Sequence, residues 1–184
     1  MKSFFQNYIQ VVAGARLCLE KRLQMPTLVL IYTLIDTFAW ATSDKNKPVR
    51  NCFEEWVTRW VLKDGNFLCT ATELYAARCA VLHTLTSKAD LTRAGKAREV
   101  TYAWGTASTS DLQTATVALG FDTHVAVHID ELLEAVCEGM AAVVERSSTD
   151  PQLAERLNEA GALHFTGMEM GTVAKFLERV HGVA

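Results

Sequence analysis

Arg78 and His83 stand five residues apart in the stretch ELYAARCAVLHTLTS, residues Glu73 to Ser87. Leu74, Val81, Leu82 and Leu85 surround them, so a helix that could have been plain core carries a cation and a titratable ring. Burying such groups is costly unless they are paired. Imidazole exchanges a proton near neutral pH, and guanidinium forks onto phosphate oxygens with a permanent charge. Together they suit cleavage of an RNA strand without a metal. The imidazole takes the proton of a 2′-hydroxyl, which attacks its own phosphate, while the guanidinium steadies the growing negative charge. The products would be a 2′,3′-cyclic phosphate and a free 5′-hydroxyl.

On a regular helix the two positions lie about 140° apart, so they do not share one narrow face. They can converge where the helix borders a groove. They can also converge where a second copy of the helix comes alongside across a two-fold axis, gathering two Arg and two His. The alternative is a structural pair that ties this helix to its neighbour.

Asp36, in IYTLIDTFAW, flanked by Ile35 and Phe38, needs a buried partner, and Arg78 or His83 is expected to supply it. Its alternative is a local pair that fixes helix register. Tyr75, Cys79 and Thr86 flank the pair as site-lining candidates; packing, inert core and backbone bonding are their simpler roles. Glu73 reads as a capping residue rather than a catalytic acid. Lys88, Arg93, Lys96 and Arg98 follow directly and could hold an RNA backbone, or serve only solubility.

The elements that must position these groups are mostly helices. Apolar spacing predicts one over residues 4–22, a second from Pro26 to about Thr42, and a third from Val49 to Leu62. Thr70, three residues before Glu73, is a capping-box signal opening a fourth helix that runs to about Thr86. Short polar loops between four such helices make an antiparallel bundle the expected architecture.

After Ser87 the character changes. KADLTRAGKAR reads as a basic loop or short turn, and EVTYAW and THVAVHI read as two strands of a small β-hairpin. Further helices are expected from 131 to 146, from Pro151 to about Ala160, and from 172 to 181. Residues 1–88 thus form the bundle and 89–184 an extension packed on the same domain. His124 and His128 would share one strand face, but no further ligand accompanies them, so neither metal nor cofactor is expected.

At 184 residues, with 49% hydrophobic and 21% charged residues, the chain can bury a sizeable core and is not disordered in composition. Its five scattered cysteines form no Cys-x-x-Cys pair, which fits a reducing cytoplasm. Residues 28–40, the most apolar run, are too few to span a bilayer and contain Asp36, so no membrane is expected. Residues 1–110 hold 14 Lys/Arg against nine Asp/Glu; residues 111–184 hold four against 12. The first part suits a polyanion and the second would repel one.

A helical bundle with Arg-x4-His on a late helix resembles the HEPN superfamily, over residues 4–87. That resemblance implies a metal-independent endoribonuclease, dimeric with a composite site, of toxin–antitoxin or antiviral defence settings. It implies catalytic roles for Arg78 and His83 and a site-lining role for Asp36. RNA, tRNA included, would be the substrate, and an antitoxin or other protein a further partner. A catalytically silent relative binding a nucleotide, RNA or protein is the alternative. Two departures stand out. Cys79 occupies a position that is often Asn, Asp or His in nuclease members. Leu85 stands where adenylylated toxins carry a Tyr, so that control is not implied.

Overall fold

The computed structural model describes residues 2–163, with side chains from Asn7 onward; the helix expected at 172–181 lies outside them. The described chain is mainly helical, with one small two-stranded sheet. Helix α1 (Lys2–Glu20) turns through residues 21–23 and folds back along α2 (Gln24–Thr42). Helix α2 is the centre of the molecule, touching α1, α3 (Val49–Trp56), α4 (Ala71–Thr84), α7 (Ile129–Ser147) and α8 (Pro151–Ala162). Ile31, Tyr32, Leu34 and Ile35 of α2 have no exposed surface. Burying each such side chain contributes about 1.5–3 kcal/mol. At 19 residues and a mean hydropathy of 1.3, α2 is long and apolar enough to cross a membrane by length and composition only, a property that the core helix of a soluble protein shares; half of that window is buried inside the fold.

The third helix ends differently from expectation. Its regular part stops at Trp56 and continues as a π-helical turn, Val57–Val61, against which α7 packs. Gly139 of α7 permits that approach: a Cβ there would lie 3.0 Å from the Trp60 carbonyl oxygen.

The expected hairpin is corrected. Strands β1 (Glu99–Ala103) and β2 (His124–His128) pair in parallel, Glu99 opposite His124 and Ala103 opposite His128. Parallel neighbours need a crossover, and helix α6 (Thr109–Ala118) provides it. Ser108 caps α6 by accepting from the Asp111 N–H at 3.0 Å. Gln113 of α6 then accepts the Ala126 N–H at 2.8 Å, satisfying a donor of β2 that has no strand beside it. On the other side, the Tyr102 and Tyr32 hydroxyls meet at 2.5 Å and tie β1 to α2.

The basic segment after Ser87 is also more ordered than a loop. It contains a short helix, α5 (Asp90–Arg93), and is anchored by apolar residues: Ala89, Leu91 and Ala97 pack on Ala76, Cys79 and Ala80 of α4. Gly95 ends α5 at φ 66°, where the Lys96 N–H reaches back to the Leu91 carbonyl at 2.9 Å. A glycine suits that left-handed position because it carries no Cβ.

Candidate functional site

The fourth helix begins as its sequence indicates. Thr70 accepts from the Glu73 N–H at 3.3 Å, and Glu73 Oε2 accepts from the Thr70 N–H at 2.7 Å. Glu73 is therefore structural, and a further bond fixes it: Arg98 Nε donates to its Oε1 at 2.5 Å. Burial raises the Glu73 carboxyl, but Arg98 and the Thr70 N–H outweigh it and hold the group below its usual range. Two turns on, α4 presents the Arg-x4-His pair.

Arg78 crosses to α2. Its Nε and Nη2 donate to Asp36 Oδ2 at 2.8 and 2.6 Å. Of the two partners the sequence allowed Asp36, the structure selects Arg78. The pair is largely covered, with side-chain exposures of 15% for Arg78 and 19% for Asp36. Burial alone would lower the Arg78 pKa, but the Asp36 carboxylate lifts it above its ordinary value, so the guanidinium stays charged. Asp36 holds it in one orientation.

Arg78 Nη1 lies 3.2 Å from His83 Nε2. The angular separation along the helix is bridged by the length of the arginine side chain. A guanidinium only donates, so in this contact Nε2 is the acceptor. His83 itself is exposed on the surface. The arrangement combines a fixed cation with a solvent-facing ring whose Nε2 lone pair points at that cation. It can accept a proton at Nε2 once a substrate oxygen takes the place of Nη1, and it can bind an anion through the remaining guanidinium hydrogens.

Tyr75 lies beneath this pair. The guanidinium carbon of Arg78 is 6.0 Å from its ring centroid, and that of Arg50 is 5.7 Å. Arg50, from α3, also pairs with Glu54 at 2.8 Å. It brings a second guanidinium to the same aromatic ring, and sequence reasoning missed it. No spacing links residues 28 positions apart, so nothing in the sequence flagged it. Cys79 Sγ sits 3.9 Å from Arg78 Nη1, and the Thr86 hydroxyl bonds Thr84 at 2.7 Å, both at the edge of the pair.

Lys88, Arg93, Lys96 and Arg98 gather elsewhere. They share one cavity of about 430 Å³ with Glu73, Glu99 and His124, and neither Arg78 nor His83 lines it. His124 faces Glu99 at 3.6 Å, whereas the buried His128 faces Asp130 at 3.3 Å. Among the described residues neither Arg78 nor His83 lines any of the five principal cavities; Arg78 is largely covered while the His83 ring is exposed at the surface. Compared with protein-family models, curated proteins and solved structures, the chain matches none.

Proposed function

We propose that the chain is a metal-independent endoribonuclease with a HEPN-like antiparallel bundle, working as a homodimer in a cytoplasmic toxin or antiphage-defence setting. The observation that carries this reading is the Arg78 guanidinium, held by Asp36 and aimed at the exposed Nε2 of His83. Strand cleavage needs a base for the 2′-hydroxyl, a cation for the phosphoryl oxygens and an acid for the departing 5′-oxygen. Arg78 supplies the cation and His83 the base. No second imidazole contacts the pair among the described residues, so the acid comes from the equivalent His83 of a second copy. The exposed ring of His83 supports that completion across a two-fold axis.

In the reaction the 2′-hydroxyl takes the place of Nη1 at His83 Nε2, and the phosphate binds the guanidinium hydrogens so released. Nε2 takes the 2′-hydroxyl proton, the 2′-oxygen bonds to phosphorus, and the bond to the 5′-oxygen breaks as that oxygen receives a proton. The products are a 2′,3′-cyclic phosphate and a 5′-hydroxyl end. Arg50 would extend the contact along the strand.

The test is digestion of total tRNA in the presence of EDTA by the wild type, Arg78→Ala and His83→Ala. Cleavage by the wild type alone supports the reading, and equal cleavage by all three ends it. A second reading is favoured by the cover over Arg78, whose side chain is only 15% exposed and already doubly bonded to Asp36. In it the protein is a catalytically silent HEPN-like binder of a nucleotide, RNA or protein. A wild type that binds RNA without cutting it selects that reading.

A further inference from the structure

The cavity between α4, the α5 segment and the starts of β1 and β2 has features that the cleavage chemistry does not use. Four cations line it: Lys88, Arg93, Lys96 and Arg98. Their commitments differ. Arg98 is committed to its neighbours, donating twice to Glu73 and once to the Leu68 carbonyl. Arg93 pairs with Asp90, but both are exposed, and such pairs contribute little. The ammonium groups of Lys88 and Lys96 have no hydrogen-bond or ion-pair partner among the described residues. With Arg98 engaged by Glu73 and Arg93 by Asp90, Lys88 and Lys96 are left as the uncommitted cations beside Glu99.

The cavity is also built rather than incidental. Gly95 and the Leu91 carbonyl fix where Lys96 leaves the backbone, and the packing of Ala89, Leu91 and Ala97 against Ala76 and Ala80 of α4 fixes the segment as a whole. Its volume of about 430 Å³ falls near the small end of ligand pockets, which run from about 300 to 1,000 Å³. Opposite the lysines are groups of another kind. Glu99 can accept from a sugar hydroxyl, and the His124 ring, 5.1 Å from that of the half-exposed Phe121, offers an aromatic edge beside it.

We propose that this cavity binds a nucleotide unit, its phosphate held by Lys88, Lys96 and Arg93 and its nucleoside placed toward Glu99 and His124. The site is separate from Arg78 and His83 and stands whether or not that pair cleaves. Its ligand is either a free nucleotide or one nucleotide of a bound RNA strand, because both present the same phosphate chemistry.

Equilibrium binding to the full chain tests this with three probes: 5′-AMP, adenosine, and a 2′-O-methyl oligonucleotide that cannot be cleaved. Lys88→Ala/Lys96→Ala removes the free ammonium groups, while Lys21→Ala/Lys63→Ala removes the same charge at other exposed positions. The expected result is saturable binding of 5′-AMP over adenosine, weakened about tenfold or more by the first double variant and little by the second. Binding of the oligonucleotide alone, with the same lysine dependence, assigns the site to a strand. The proposal is overturned if neither phosphate probe binds, if adenosine binds as well as 5′-AMP, or if both double variants lose equally. Cleavage of tRNA in EDTA is read separately, so loss of this site and loss of the nuclease activity are distinguishable.

Discussion

Arg78 places both Nε and Nη2 on a single oxygen of Asp36, Oδ2, while Oδ1 lies buried with no hydrogen-bond partner. The pair is lopsided, so the carboxylate depends almost wholly on one side chain for its compensation. Arg78→Ala would strand that charge inside α2. The expected cost lies between those of exposed and fully buried pairs, about 2–4 kcal/mol. Asp36→Asn removes the charge that needs compensating, so adding it to Arg78→Ala restores part of the loss. Urea unfolding of the two single variants and the double checks this; strictly additive losses would show that the pair is uncoupled.

His83 behaves in the opposite way because its ring is exposed. His83→Ala removes little packing, and stability is expected to change by no more than about 0.5 kcal/mol. Single-turnover RNA cleavage should nevertheless fall about 100-fold or more, the usual contribution of a positioned base. A His83→Ala protein that cuts at the wild-type rate removes the imidazole from the chemistry.

Those two side chains were legible as a spacing, and Asp36 as a buried charge seeking a partner, because each cue is local. The start of α4 was equally legible, since the Thr70 and Glu73 side chains satisfy each other's backbone within four residues. What stayed hidden is non-local or weakly patterned. Helix α6 buries only Thr116 and has no apolar stripe, so the helix-opening signal of Ser108 and Asp111 passed for a turn and the strands on either side for a hairpin. Arg98 reaches Glu73 across 25 residues, and Arg50 reaches the Tyr75 ring from another helix. Only the fold brings them together.

Glu73 gives the chain a defined acid sensitivity. Its folded carboxyl titrates below the usual range, net of the burial that opposes this. The stability it contributes is therefore complete above its unfolded value near 4.3 and is lost as pH falls through the lower folded value. Glu73→Gln should cost about 1–2 kcal/mol at neutral pH, and melting curves of the two proteins should converge on acidification below about pH 4. A gap that stays constant from pH 7 to pH 3 would mean that shape, not charge, is what the side chain supplies.

Gly139 sets the distance between α7 and the π-helical turn. A Cβ at this position would meet the Trp60 carbonyl oxygen at 3.0 Å and its Cβ at 3.1 Å. The first is backbone and cannot swing aside, so Gly139→Ala should destabilise by about 1–3 kcal/mol even though alanine is the better helix former. Thermal unfolding reads this directly, and an unchanged or raised midpoint would show that the two helices can separate freely.

Leu85 closes α4 in a conformation that leucine rarely adopts. It sits at φ 52°, two residues past His83, with its own N–H on the Val81 carbonyl and the Thr86 N–H on that of Ala80. The left-handed region crowds Cβ, whereas glycine enters it at no such cost. Because the leucine side chain is 61% exposed, little packing opposes the exchange. Leu85→Gly should therefore raise stability by up to about 1 kcal/mol, offset in part by the freer unfolded chain, while Leu85→Val should lower it by at least as much. Denaturation midpoints of the three proteins measure this order. A glycine variant less stable than the wild type would show that the leucine side chain is covered, as docking of a second copy beside His83 in the proposed dimer would cover it.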